Sequence, residues 1–294
     1  MNIKWEDYKE LKFLKGKLNK RYTKPIFLGE GKFGKVFKLE DLKLKRACAL
    51  KVLSLAGLDK LNEDQKKDTL KQFRVEAEKY ANCDHPNIVK IYDISDEDTY
   101  PPFLLLEFVK GKSLDKWLNE KGKLSLGEIL RISKAILPAL GHMHKKLLVH
   151  QDLKPSNIML ENGSNGRCVL VDFGITKDLL LPSLTSTKKP IGTPSYIPPE
   201  QWRGPDIVTH TADIYSFGVM LYEMVTGEVP FKGGSPAIMR GHLMRNVPQI
   251  KEKNPNAPEG VQKIIEKAMA KDPGDRYRST EEFLNALKTL SITG

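Results

Sequence analysis

Residues 150–157 read His-Gln-Asp-Leu-Lys-Pro-Ser-Asn, and Asp172-Phe173-Gly174 follows shortly after. Two carboxylates, a lysine and an amide stand there at the spacing that in-line phosphoryl transfer needs. Asp152 can accept a hydroxyl proton, and Lys154 can steady a migrating phosphoryl group. Asn157 offers a carbonyl oxygen and Asp172 a carboxylate, both hard ligands suited to Mg²⁺. The bland alternative is a polar loop with unrelated acids, and it weakens as further elements appear in order along the chain.

Upstream, Gly29-Glu30-Gly31-Lys32-Phe33-Gly34-Lys35-Val36 is a G-x-G-x-x-G-x-V run. Glycines let the backbone approach phosphate oxygens and aim its amides at them. Taken alone, the run fits a glycine-rich hairpin turn equally well. A dinucleotide-binding unit would need a helix straight after the last glycine. Residues 35–39 alternate like a strand instead, which disfavours that reading. Ala49-Leu50-Lys51-Val52 sets one lysine in an apolar strand. Such a lysine is either buried with a partner or exposed on an edge strand. Glu76, on the helix that follows, can supply the partner carboxylate. Glu78 is the competing acid, but it should point away from the face defined by Phe73 and Tyr80.

The elements that must position these residues fall into two groups. Residues 25–28, 35–39, 48–53, 88–94 and 103–108 are short apolar runs that read as strands. Between them, residues 63–81 carry Leu70, Phe73, Ala77 and Tyr80 at helical spacing. Beyond Gly111 the pattern turns helical over 113–120, 126–145, 214–225, 237–245, 261–270 and 280–290. Residues 150–174 form a loop-and-strand insert, and 175–200, rich in Ser, Thr, Pro and Lys, read as a surface loop. The expectation is an α+β protein. It has a small antiparallel β lobe with one main helix, then a larger α-helical lobe, with a linker near 107–111.

With 40% hydrophobic and 29% charged residues in 294, the composition is that of an ordinary globular protein. No apolar run reaches the roughly 20 residues needed to span a bilayer. The first residues lack the apolar core of a secretory signal. Cys48, Cys83 and Cys168 are few and widely spaced, so neither a disulfide framework nor a metal site is expected. A reducing, cytoplasmic setting fits. The net charge of +11 is uneven, since residues 1–24 hold eight Lys or Arg against three acids. Trp5, Tyr8, Leu11, Leu14 and Leu18 recur there at helical spacing. Residues 1–23 therefore read as a basic amphipathic extension that docks on the domain, or on a membrane or acidic partner. The sequence pI of 9.3 raises a nucleic-acid role, but no recognition motif accompanies it and none is expected.

In this order the motifs resemble those of eukaryotic-type (Hanks-type) Ser/Thr protein kinases, from about Lys24 to Leu290. Tyr215 and the compact length are similar to bacterial members. The resemblance implies a two-lobed kinase domain over 24–294, with an N-lobe over 24–108 and a C-lobe over 109–294. It implies that Gly29, Glu30, Gly31 and Gly34 cradle the phosphates of ATP, and that Lys51 pairs with Glu76. Val36, Ala49 and Met159 then sandwich the adenine, with Leu106 at the back and Glu107 and Val109 in the hinge strand. Asp152 becomes the base, while Asn157 and Asp172 hold Mg²⁺, with Mn²⁺ as a substitute. Thr193, in Gly-Thr-Pro-Ser-Tyr, and Lys154 narrow the site to small alcohols, so the substrates are Ser/Thr hydroxyls of proteins and of the chain itself. Glu200, from Pro198-Pro199-Glu200, should pair with Arg276, and Asp213 should anchor the catalytic-loop backbone.

The chain also departs from the family pattern. Gln151 stands where many relatives carry arginine (a non-RD loop), and glutamine cannot neutralise a phosphate's charge of about −1.5 to −2. Control by an activation-loop phosphate is expected to be weak or atypical. Thr176, Ser183, Thr185, Ser186 and Thr187 remain modifiable, with Lys188 or Lys189 as local partners. Ser113 and Ser156 stand where basophilic relatives carry acids, which argues against a strong preference for basic substrates, and residues 59–71 lengthen the stretch before Glu76. Two other classes compete with this reading. A binding-only pseudokinase should have lost Lys51, Asp152 or Asp172, and all three are present. A small-molecule phosphotransferase fits poorly with the peptide platform that residues 192–200 resemble.

Overall fold

Alternating apolar side chains in the first half of the chain pair across strands. The computed structural model describes residues 7–31, 34–53, 61–96, 99–161, 166–172, 193–204 and 208–290. Strands β1 (Ile26–Gly31), β2 (Gly34–Asp41), β3 (Arg46–Leu53), β4 (Ile91–Ile94) and β5 (Phe103–Glu107) form one antiparallel sheet. Its order is β1-β2-β3-β5-β4. Residues directly opposite in such a sheet share a face. Val36 lies opposite Lys51, Ala49 opposite Leu106, and Lys51 opposite Leu104, so these residues line one face. Phe37, Leu39, Cys48, Leu50, Val52 and Leu105 line the other.

That second face is covered by α1 (Lys9–Leu18). Leu11, Leu14, Leu18 and Tyr22 are buried in one cluster with Phe37, Leu39, Cys48, Leu50 and Val52. Each leucine so buried contributes about 1.5–3 kcal/mol. Tyr8 stacks on Phe27 at 5.4 Å and meets Phe37 edge-on at 5.1 Å. Polar contacts fix the register: Lys35 Nζ lies 2.6 Å from Glu10, and Arg21 lies 2.8 Å from the fully buried Asp41. The helix α2 (Glu63–Ala81) begins at a capping box between Asn62 and Gln65, and buries Phe73, Ala77 and Tyr80.

The chain forms two compact units. The first takes the described residues up to Asp84 together with Val89–Val109. The second takes His85–Ile88, Lys110–Asp172 and the described residues after 192. In the second unit, α4 (Leu126–Lys145) opens on a Ser125–Glu128 capping box and packs against α10 (Thr280–Thr289). Between them in sequence lies α6 (Thr211–Thr226), which is apolar and buried on nearly every side, as expected of a helix at a core's centre. No helix among the described residues is long and apolar enough to cross a membrane. All three cysteines are free thiols and buried.

Two expectations need correction. Residues 88–94 are not one strand: β4 starts at Ile91, while Ile88 bridges in parallel to Leu170 of the second unit. Asn87 causes the break, because its carbonyl accepts from Leu170 N–H at 2.8 Å and its Nδ2 donates to the Cys168 carbonyl at 2.8 Å. The second unit also holds a three-stranded sheet of β6 (Gly111–Ser113), β7 (Ile158–Glu161) and β8 (Cys168–Leu170). Residues this few show no periodicity. The close approach is nonetheless built in at Gly111, where a Cβ would sit 2.1 Å from the Leu160 carbonyl oxygen.

Candidate active site

Asp213 explains the shape of the 150–157 loop. It lies in the first turn of α6, wholly buried. Its Oδ2 accepts from the His150 N–H at 2.9 Å and meets His144 Nε2 at 2.7 Å, while Oδ1 accepts from the Gln151 N–H at 3.0 Å. Burial pushes this carboxyl up, but the His144 hydrogen bond and the His150 backbone N–H outweigh it and hold the group below the usual carboxylate range. The acceptor is therefore ionised, and His144 donates from Nε2. This anchor holds Gln151 at φ +61°, a left-handed conformation that costs a non-glycine residue about 1–3 kcal/mol.

The anchored loop gathers its functional side chains. Lys154 Nζ donates to Asp152 Oδ2 at 2.7 Å. Asn157 Nδ2 donates to the Asp152 carbonyl at 2.9 Å and to Asp152 Oδ2 at 3.4 Å. The Val171 N–H donates to the Asn157 carbonyl at 2.8 Å, which brings the start of the Asp172 motif to the same place. Asp172 is half-buried and, like Gln151, left-handed, with φ +62°. His150 is buried, and burial pushes its imidazole below the usual value despite the carboxylates of Asp213, Asp152 and Asp172. Its Nδ1 accepts from the Asp152 N–H at 3.3 Å.

Asn157 and Asp172 suit a magnesium ion. The amide nitrogen of Asn157 is committed to Asp152, so its oxygen occupies the opposite edge of the amide plane. Among the described residues no group of three or more His, Cys, Asp or Glu is arranged to hold a metal. Two protein oxygens match Mg²⁺, which keeps most of its coordination for water and phosphate oxygens.

The expected brace is present. Arg276 makes paired 2.7 Å bonds to both Glu200 oxygens, with the two side chains 0% and 4% exposed. Thr193, at the start of the 3-10 turn Pro194–Tyr196, is exposed and makes no side-chain hydrogen bond to Asp152 or Lys154 among the described residues. Phe173, Gly174, Gly192 and the hydroxyl and lysine residues noted between 176 and 189 lie outside the described residues.

In the first unit Lys51 is 7% exposed on β3, which has β2 and β5 on either side. The edge-strand alternative therefore fails. Glu76 is half-buried on α2 and lies 3.8 Å from Lys79, while Glu78 turns outward and pairs with Arg74 at 2.9 Å. The glycines divide by role. At Gly34 a Cβ would meet the Val52 carbonyl oxygen at 2.1 Å, so the hairpin itself demands glycine there. At Gly29 and Gly31 a Cβ would meet nothing within 4 Å, so the fold leaves open space beside them. Glu30 is exposed, 4.0 Å from Lys35. Val36, Ala49 and Leu106 share the Lys51 face, with Glu107 ending β5 and Val109 buried just beyond. Met159 is half-buried on β7 of the second unit.

A family model for the protein kinase domain matches residues 22–286. The chain belongs to the protein kinase family. Among its relatives is the serine/threonine-protein kinase PrkC of Bacillus subtilis, 36% identical over 274 residues, covering 93% of this chain and 41% of that protein. Another is the serine/threonine-protein kinase pkn3 of Myxococcus xanthus, 33% identical over 279 residues, covering 92% of this chain and 50% of that protein. The chain thus spans half or less of the length of these kinases.

Two features of this kinase domain escaped sequence reasoning. His144, which completes the acceptor set of Asp213, is indistinguishable by sequence from His142 two residues earlier. Tyr196 donates to Glu223 Oε2 at 2.7 Å, and burial pushes the Glu223 carboxyl up more than that bond lowers it. The residues are far apart in sequence, and only the packing of α6 beneath the 3-10 turn joins them.

Proposed function

We propose that the chain transfers the γ-phosphate of ATP to Ser/Thr hydroxyls of protein substrates and of the chain itself. The observation that carries this reading is the Asp152–Lys154–Asn157 cluster, hydrogen-bonded together on a loop hung from Asp213. Asp152 accepts the hydroxyl proton as attack proceeds. Lys154, already within reach of that carboxylate, offsets charge on the group in transfer. Asn157 and Asp172 would hold Mg²⁺, or Mn²⁺ in its place, and the ion supplies charge neutralisation at the phosphate oxygens. Thr193 narrows the site to small alcohols.

Gly29, Gly31 and Gly34, with Glu30, cradle the phosphates. The open space at Gly29 and Gly31 supports this, since neither position needs glycine for the hairpin. Lys51, braced by Glu76, meets the same phosphates. Val36, Ala49, Leu106 and Met159 hold the adenine, and Glu107 and Val109 serve as its hinge; the shared face of the first three supports that assignment. In this reading residues 24–294 are the kinase domain, with lobes dividing at 108/109. Residues 1–23 are an extension of that domain, and burial of Leu11, Leu14 and Leu18 supports docking of its described part, from residue 7 on, against the sheet. Three free, buried thiols accord with a reducing cytoplasmic setting. Gln151 leaves the loop without a guanidinium for an activation-loop phosphate, so control by that route is weak.

The test is Asp152→Ala. It should lower transfer from labelled ATP by roughly 10²–10⁴-fold while leaving nucleotide binding nearly unchanged. Equal turnover by the variant would overturn the assignment.

A further inference from the structure

The second unit contains a cavity of about 700 Å³ that the transfer chemistry does not use. It is walled by α4, by α10 and by the segments around His85 and His210. We propose that it binds a multiply charged phosphoryl anion and transmits that binding to the catalytic loop through His144. The effect on rate rests on the transfer activity proposed above; the binding does not.

The lining has an unusual composition. Four of the protein's six histidines meet there: His85, His142, His144 and His210. They sit in two pairs, with His85 and His142 ring centres 5.7 Å apart and those of His144 and His210 5.4 Å apart. Lys145, Arg278 and Lys288, from two helices and the turn before α10, line the same space, against one acid, Glu281. His210 Nε2 lies 3.1 Å from the Arg278 carbonyl and His144 Nε2 is bonded to Asp213, which leaves the second nitrogen of each ring for a ligand. Imidazoles and basic side chains lining one space suit an oxyanion with several charges. A volume of that order accommodates a ligand of oligophosphate size.

The link to the loop is a single side chain. His144 lines the cavity and donates to Asp213, and the same carboxylate receives the N–H groups of His150 and Gln151. An anion favours the imidazolium form of a histidine near it. A ligand drawing on His144 therefore acts on the anchor that sets Asp152. Gln151 lacks the charge to read a phosphate at the loop itself, whereas this cavity supplies an anion-reading surface one residue behind it.

The test uses the full chain without Mg²⁺ and follows all six histidines by ¹H–¹³C NMR. One arm adds inorganic tripolyphosphate, and the other a peptide carrying two adjacent phosphoserines. The inference expects saturable shifts at His85 and His142 in at least one arm, and the responding arm tells a free anion from a protein-borne one. His242, buried and bonded to Tyr215 at 2.9 Å, should stay silent. The variant K145A/R278A/K288A should weaken binding by at least roughly tenfold, since charged hydrogen bonds are lost. At saturating anion, phosphate transfer by the wild type should change relative to that variant. Shifts at His150 alone would place the anion at the transfer site and overturn the inference. Silence in both arms, or drifting shifts at every histidine including His242, would overturn it too. Binding with no change in transfer relative to the variant would overturn the coupling through His144. A chain that binds the anion yet never transfers phosphate would instead refute the proposed activity.

Discussion

Asp213→Asn isolates what the anchor contributes, because it changes one atom's chemistry without changing shape. The carboxylate serves three donors: His150 N–H, Gln151 N–H and His144 Nε2. An asparagine offers one acceptor oxygen and one NH₂. His144 can change tautomer and accept from that NH₂, but a backbone N–H has no such freedom. In either amide orientation one backbone N–H is left facing a donor. Its lost acceptor costs about 1–3 kcal/mol. The left-handed Gln151 holds strain of similar size, about 1–3 kcal/mol, so without the anchor the loop should relax away from φ +61°. At about 2–4 °C per kcal/mol for a domain of this size class, the melting temperature should fall by roughly 2–12 °C. Displacing Asp152 by about 1 Å should lower kcat about 10²-fold. ATP affinity should change little, because Gly29, Gly31, Gly34 and Lys51 belong to the other unit. Thermal melts alongside labelled-ATP transfer would measure both effects. A variant that melts within about 1 °C of the wild type and keeps more than about half its rate would refute the anchoring argument.

Other perturbations test other layers. Arg276→Met should leave Glu200 buried without its cation and cost about 3–5 kcal/mol in chemical denaturation, since the two side chains are 0% and 4% exposed. Gly34→Ala should disrupt the small sheet, because a Cβ would overlap the Val52 carbonyl. Gly31→Ala should melt like the wild type yet bind nucleotide more weakly, and titration with a fluorescent nucleotide would separate the two. Burial raises the Glu128 carboxyl, but hydrogen bonds from Lys121 and Ser125 bring it down to about 2. With a depressed folded-state value, its stabilisation is complete above the ordinary 4.5 and is lost as pH falls through about 2. A Glu128→Gln variant should therefore lose its stability deficit in melts taken below that window.

Much of the fold was legible because its cause is local. The alternation of β2 and β3 and the spacing of Phe73, Ala77 and Tyr80 each report burial directly in residue order. The site's inventory was legible for a similar reason, since Asp152, Lys154 and Asn157 share one loop. What stayed hidden is fixed by distant packing. The sheet of Gly111–Ser113 with Ile158–Glu161 rests on a close backbone approach rather than on a pattern. Ile88 joins Leu170 because Asn87 bonds to residues far along the chain. His144 gains its role only when α6 places Asp213 beneath it. The 2.7 Å bond from Lys154 to Asp152 likewise depends on the loop's conformation, which residue order alone does not set.

The central claim is that this loop transfers phosphate to hydroxyls, and mass spectrometry of the chain after incubation with Mg²⁺ and ATP tests it most directly. Wild-type protein should gain phosphoserine or phosphothreonine, and Asp152→Ala and Asp172→Ala should gain essentially none. Wild-type protein that binds ATP but carries no phosphate and labels no protein substrate would contradict the account, as would equal labelling of all three.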